Sequence, residues 1–225
     1  MQGISVVIPN YNGMDLLPEV LPTVYEALKN QPLPFEIILA DDASADDSVS
    51  LVSKNFPDVT ILREEVNAGF SATANRGISH AKYDWVLLLN SDVKLSPDYF
   101  SYLLPYTQKN IFGVMGRIVG WDDDEIQDGA KYPVMHGLKI KTSGNYLLQD
   151  MTNAGPLPTM YLSGANMFLQ KKIFDEIGQL NEIFSPFYVE DYELSLRAWR
   201  LGYESLYEHR AICRHKTSHT IKKQK

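Results

Sequence analysis

The first half of the chain alternates short apolar runs with longer segments in which apolar residues recur every three or four positions. Ile4-Ser5-Val6-Val7-Ile8 is rich in β-branched residues and stops at Pro9, which reads as a buried strand. Leu17, Val20, Leu21, Val24 and Leu28 fall on one face of a helix, with Asn12 as a candidate cap. Pro18 and Pro22 blur the start of that helix, because a proline in a helix interior costs about 3 kcal/mol. The same reading predicts strands over 36–40, 59–62 and 85–89, and helices over 46–55 and 71–81. Ser96-Pro97-Asp98 then opens a helix with a cap, a proline in the first turn and an acid near the positive end of the dipole.

The second half is less regular. Strands are predicted over 113–119 and 161–169, and a short helix over 173–177, closed by Gly178. A longer helix over 190–201 has Leu194, Ala198 and Leu201 on one face, a Glu193–Arg197 pair, and Gly202 as its stop. The stretch 121–155 reads as loops and short hairpin strands, and the tail 221–225 as frayed chain. No repeat and no Pro/Ser-rich linker divides the sequence, so one domain is expected over 1–225. Its β-α alternation implies an α/β fold with a mainly parallel central sheet covered by helices on both faces. Ligands of such sheets bind beyond the carboxyl ends of the strands. The residues there are Asn10-Tyr11-Asn12, Asp41-Asp42 and Asn90-Ser91-Asp92.

Composition narrows the function. The 225 residues carry 21 Lys+Arg against 28 Asp+Glu, a net charge of −7, which argues against a nucleic-acid binder. An apolar share of 44% with 22% charged residues belongs to a folded chain rather than a disordered one. A single cysteine, Cys213, excludes an internal disulfide and fits a reducing compartment. No apolar run approaches the ~18 residues of a transmembrane helix, and the N-terminus lacks the basic flank of a signal peptide. A soluble, cytoplasmic protein is expected. The chain has no G-x-G-x-x-G after its first strand, no phosphate-binding G-x-x-x-x-G-K-[ST] and no G-x-S-x-G elbow.

The strand-end acids are the chemistry that remains. Asp92 follows an apolar strand, where a carboxylate either closes an Asx turn or meets a cation such as Mg²⁺ or Mn²⁺. Of Asp41 and Asp42, adjacent in an extended strand, only one can face a crevice; it would accept from a nucleobase N–H or cap the next helix. Glu190-Asp191 opens a helix after an aromatic loop, so it serves the helix dipole or provides a general base whose pKa is lifted by burial. His215 and His219 are structural or ligating. The acidic run Asp122-Asp123-Asp124-Glu125 has no strand end or histidine to organise it and reads as solvated.

In order along the chain, these segments resemble glycosyltransferase family 2, in its rhamnosyltransferase-like branch. Ser5-Val6-Val7-Ile8-Pro9-Asn10-Tyr11-Asn12 is similar to the family's first strand and nucleotide loop. The run Ile38-Leu39-Ala40-Asp41-Asp42-Ala43-Ser44-Ala45-Asp46-Asp47-Ser48 resembles its V-V-D-N-A-S-T-D-G-S segment, and Asn67-Ala68-Gly69-Phe70 through Asn75-Arg76-Gly77 its N-x-G-F segment. Asn90-Ser91-Asp92 corresponds to a variant D-x-D, and Glu190-Asp191-Tyr192-Glu193-Leu194 to E-D-x-D/E-L.

The resemblance implies a GT-A fold and an inverting, metal-dependent transfer of a hexosyl or deoxyhexosyl group from a nucleoside diphosphate sugar of UDP or dTDP type. The acceptor would be a polysaccharide, glycolipid or related hydroxyl, either free or lipid-linked. Residues 1–112 would form the nucleotide-sugar half and 113–225 the irregular acceptor and catalytic half. Pro9, Tyr11 and Asp41 would surround base and ribose, with Asn67, Gly69 and Asn75 completing the pocket. Asp92 would bind a divalent cation, Mn²⁺ or Mg²⁺, joined by His215. Asp191 would be the catalytic base and Glu190 its companion near the acceptor.

Asp42 stands where the family commonly has Asn, Asp47 where Gly is frequent, and Asn90 where a fuller motif has its first Asp. Ending at Lys225 implies a catalytic core, and a lipid-linked acceptor would bring it to the inner face of a membrane. The competing expectations are a non-catalytic nucleotide-sugar-binding module of the same fold and a nucleotidyltransferase. The latter calls for a basic Gly-rich loop, whereas Asn10-Tyr11-Asn12-Gly13 holds neither Lys nor Arg.

Overall fold

A computed structural model of the chain describes residues 1–108, 110–145, 155–185 and 189–216. The tail 221–225, His219, residues 186–188 of the aromatic loop and 146–154 of the loop-rich stretch lie outside the described residues.

The first half follows its hydrophobic pattern closely. β1 (Ile4–Asn10), α1 (Leu17–Lys29), β2 (Phe35–Asp41), α2 (Ser48–Asn55), β3 (Thr60–Arg63), α3 (Phe70–His80) and β4 (Trp85–Leu89) alternate in order. β3, β2, β1 and β4 lie side by side and run parallel. In α1, Pro18 sits in the first turn, where its missing N–H has no helical acceptor to lose, and Pro22 lies inside. The helix persists because Leu17, Val20, Leu21, Val24, Ala27 and Leu28 are all buried. At ~1.5–3 kcal/mol per large apolar side chain, that burial outweighs the proline penalty.

The chain then forms β5 (Val93–Leu95), α4 (Tyr99–Leu103), β6 (Gly113–Gly120), β7 (Ile126–Asp128), β8 (Pro133–His136), β9 (Lys139–Thr142), β10 (Leu157–Pro158), β11 (Asn166–Gln170), α5 (Lys171–Glu176), α6 (Glu190–Arg200) and β12 (Ser205–His215). Antiparallel β11 joins β4 to β6, and β12 runs parallel to β6. Among the described residues ten strands thus share one sheet, mostly parallel at its centre, while β8 and β9 pair apart.

Alternating strand residues feed two cores. Ile4, Val6 and Ile8 pack with α1 and α4 on one face, while Val7, Ile38 and Val86 pack with α3, α5 and α6 on the other. Gly77 allows α3 to approach β1 closely, since a Cβ there would stand 2.4 Å from Val7 Cγ1.

Two expectations change, and one strand went unpredicted. The strand expected over 161–169 occupies only Asn166–Gln170, because Gly164 and Ala165 turn and the Asn166 N–H donates to Ser163 O at 3.1 Å. The helix after Ser96 begins at Tyr99, with the Tyr99 N–H donating to Ser96 O. β12 was not legible at all: buried Glu208 and His209 interrupt its apolar pattern.

Candidate active site

The ends of β1 and β2 meet in a buried polar hub. Asn10 Nδ2 reaches Asp41 Oδ1 at 2.7 Å, Ser48 Oγ at 3.0 Å and Ser44 Oγ at 3.1 Å. Asp41 also accepts from the Ser44 hydroxyl at 2.5 Å and from the Ser44 N–H at 3.1 Å. Asn12, in the left-handed region at φ 55, accepts from the Ala45 N–H at 2.8 Å and donates its own N–H to Ser44 Oγ at 2.9 Å. The carboxylate expected at a nucleobase is therefore an internal brace. Asp41 has 0% exposure and its bonds hold the loop together, so it does not face the crevice. Pro9 and Tyr11, expected beside it, are both part-exposed at the same strand end.

Asp42 is buried too, so neither acid of the pair points freely outward. Its oxygens accept from the Ala68 N–H at 2.8 Å and the Gly69 N–H at 3.0 Å, with Gly69 at φ 87. This bridge places exposed Asn67 over the end of β2, where its Nδ2 lies 3.4 Å from Asp42 O. Asn75, expected in the same pocket, is bonded to the chain before α6. Its side chain accepts from the Leu180 N–H at 3.0 Å and donates to Leu180 O at 2.9 Å, which fastens α3 to the segment before α6.

Asp92 and His215, distant in sequence, come together. β12 pairs with β5 through His215 and Val93, and the Lys216 N–H donates to Asp92 O at 3.0 Å. His215 Nε2 stands 3.4 Å from Asp92 Oδ1, a buried oxygen with no hydrogen-bond partner among the described residues. An orphaned carboxylate oxygen facing an imidazole fits a divalent cation, since Mg²⁺ and Mn²⁺ take few protein ligands and leave positions for phosphate oxygens and water. No cluster of three or more metal-ligating side chains occurs among the described residues.

Sequence reasoning overlooked the neighbouring cations. Lys94 Nζ lies 3.9 Å and Lys216 Nζ 5.2 Å from the Trp121 ring centroid, and Lys94 pairs with Glu19 at 2.5 Å. Trp121 follows Gly120, the register partner of His215, so this basic group borders the Asp92–His215 pair. The acidic run after Trp121 does begin at a strand end, that of β6, and Arg214 reaches Asp124 at 2.6 Å and Asp123 O at 2.7 Å. Its acids remain exposed.

Asp191 lies in the first turn of α6. It accepts from its neighbour's Tyr192 N–H at 2.7 Å and from the Gly164 N–H at 2.9 Å. The Asn90 N–H donates to Ala165 O at 3.1 Å, so the turn that touches Asp191 also touches the strand end leading to Asp92. Burial raises the Asp191 pKa, opposed by the Gly164 and Tyr192 N–H groups and assisted by the charge of Asp128. Glu190 is also buried, leaves Oε2 without a partner, and is raised by burial, with Asp191's charge adding to the rise. Tyr161 packs edge-on against Tyr192 at 6.0 Å and directs its hydroxyl to Asp128 Oδ2 at 3.5 Å. Asp128 gave no sequence signal, as it sits in the irregular half with no motif around it.

A profile described as Glycosyl transferase family 2 matches residues 5–178. An uncharacterized glycosyltransferase of Haemophilus influenzae is 31% identical over 107 residues, covering 48% of this chain and 35% of that protein. An N-acetylglucosaminyl-diphospho-decaprenol L-rhamnosyltransferase of Mycobacterium tuberculosis is 23% identical over 210 residues, covering 83% of this chain and 68% of the relative. The structure of GalNAc-T7 with UDP, GalNAc and Mn²⁺ superposes with a TM-score of 0.75 at 19% identity, over 96% of this chain and 44% of that one. The fold is the expected GT-A type. The chain spans about a third of the first of these relatives and about two thirds of the second.

Proposed function

The chain belongs to glycosyl transferase family 2, and from that premise we propose that it transfers a sugar from a nucleoside diphosphate donor to a saccharide or lipid-linked hydroxyl, with inversion. The observation that carries this reading is the Asp92–His215 pair, whose buried Oδ1 accepts no hydrogen bond among the described residues. Asp92 and His215 would hold a divalent cation, which when bound supplies positive charge for the leaving diphosphate. Lys94 and Lys216 border the same place and add positive charge for phosphate. Asp191 takes the proton of the acceptor hydroxyl as its oxygen bonds to the anomeric carbon and the bond to the diphosphate breaks. A single base suffices for one displacement, and a carboxylate with a raised pKa is better matched to that proton than an ordinary one.

The donor half is 1–112 and the acceptor half 113–225, with His215 crossing back to the donor side. Pro9, Tyr11, Asn67 and Gly69 remain the residues for base and ribose, and Asp41 supports them from inside. Glu190 is the companion of Asp191 near the acceptor. A lipid-linked acceptor, suggested by the name of the M. tuberculosis relative, would be met at the inner face of a membrane. No helix among the described residues is long and apolar enough to cross one.

The test is a donor panel with and without Mn²⁺, run on the native chain and on Asp191→Asn. Replacing the base lowers transfer by about 10²–10⁴-fold, while donor binding persists. Near-normal turnover by Asp191→Asn removes the base from Asp191. Donor binding without transfer or hydrolysis across the panel identifies a binding module instead.

A further inference from the structure

β8 and β9 form a ribbon outside the main sheet, and every residue in both strands is exposed. Their register sorts the side chains. Opposed residues of an antiparallel pair share a face, and the faces alternate along each strand. Met135 opposes Ile140 and Pro133 opposes Thr142, which makes one largely apolar face. His136 opposes Lys139 and Val134 opposes Lys141, which makes the other face basic. At the connecting turn Leu138 is 102% exposed, beside Met135 at 67% and Ile140 at 54%.

Charge separates this ribbon from the rest of the molecule. Between Gly129 and Asn145 there is no acidic residue, in a chain of net charge −7. Lys131 is engaged by Asp128 and Asn145, which leaves His136, Lys139 and Lys141 to define the basic face.

We propose that this hairpin docks the protein on an anionic lipid bilayer, with Leu138, Met135 and Ile140 entering the acyl boundary and Lys139 and Lys141 reaching the phosphates. An apolar face backed by lysines is the pattern that lies in a membrane interface, because the long lysine stems let the ammonium groups reach the headgroups. Each lysine near such a surface strengthens binding about fivefold. Lys139 and Lys141 follow Leu138 directly along β9, and an anionic bilayer supplies the opposite sign to them while its interior takes the apolar tip. The inference rests on the lipid-linked acceptor proposed above for its purpose, while vesicle binding and transfer to a soluble acceptor are read separately.

The experiment is co-sedimentation of the full chain with phosphatidylcholine vesicles, with and without phosphatidylglycerol. Binding is expected only to the anionic vesicles and weakens as salt rises. Lys139→Glu with Lys141→Glu lowers it by about tenfold or more, and Leu138→Ser with Ile140→Ser does so comparably. Both variants retain the native Tm and native transfer to a soluble acceptor. Equal binding to neutral vesicles, or unchanged binding by both variants, overturns the proposal. So does self-association that the variants abolish while vesicles stay unbound, which identifies a second copy as the occupant. Vesicle binding with no donor hydrolysis and no transfer to either a soluble or a lipid-linked acceptor upholds the docking and rejects the proposed transfer.

Discussion

Asp41, Asp92 and Asp191 each follow or open a regular element, yet the fold gives them three different surroundings. Asp41 is saturated by Asn10 and Ser44, Asp92 keeps an orphaned oxygen toward His215, and Asp191 holds two backbone N–H groups inside a desolvated turn. Since burial lifts the Asp191 pKa, the acid limb of kcat/KM belongs above the ordinary aspartate value of about 3.9. Activity is full where the carboxylate is ionised and falls as pH drops through the raised pKa, which a pH–rate profile reads directly. Glu190 yields a stability prediction of its own. Its folded pKa is raised by burial, so its contribution to stability is greatest below the unfolded value of about 4.3 and is lost as pH rises through the folded one. Glu190→Gln therefore raises Tm at neutral pH, and the gain vanishes in acid, where both side chains are neutral. Thermal melts at several pH values check this, and a gain of equal size at all pH values contradicts it.

The decisive element is β12. Glu208 pairs with Gly116 and Ile212 with the next residue, Arg117, so residues 209–211 bulge out of the ladder. An odd number of extra residues reverses the alternation of everything after it and shifts the register. His215 consequently lies opposite Gly120 and meets Asp92. The bulge is held by the fully buried Glu208 carboxylate, which accepts from Tyr106 Oη at 2.7 Å and from Arg210 N, Nε and Nη2 at 3.0, 2.8 and 2.7 Å. Arg210 is half in solvent, so its ion pair is discounted. Glu208→Ala should cost about 1–3 kcal/mol in denaturant unfolding and Tyr106→Phe about 1 kcal/mol. If the bulge sets the position of His215, Glu208→Ala also weakens Mn²⁺ binding, as seen by electron paramagnetic resonance of the free ion. Unaltered Mn²⁺ affinity in a folded Glu208→Ala protein would falsify that link.

At the scale of the molecule, the proposed site gathers both halves of the chain, because β12 pairs with β5 and so returns His215 to the chain after β4, and the turn before β11 brings Asp191 there. Joint binding of nucleotide and cation should therefore stabilise the domain as a unit. At a hundredfold excess over Kd, a ligand adds about 2.7 kcal/mol, which for this size raises Tm by about 5–10 °C. UDP with Mn²⁺ is expected to reach that range, UDP alone to fall short of it, and His215→Ala to abolish the difference. Equal shifts with and without Mn²⁺ argue against a metal-bridged diphosphate.

By itself the sequence determined the alternation of β1 to β4 with α1 to α3, since apolar runs and helical periodicity are local and the central strands β1 and β4 are buried on both faces. It also carried the polar strand ends and the acids of α6, because these stand in short contiguous motifs. Tertiary structure decided the rest. Asp41 is a buried brace because Asn10 and Ser44 close over it, and Asn75 is bonded to Leu180 across 105 residues. β12, the bulge that orients His215, the lysines around Trp121 and the two-faced hairpin each depend on pairing between residues far apart in the chain or on register across a turn. Such pairing is set by which hydrogen bonds and buried charges can be satisfied together, a condition that only the folded molecule imposes.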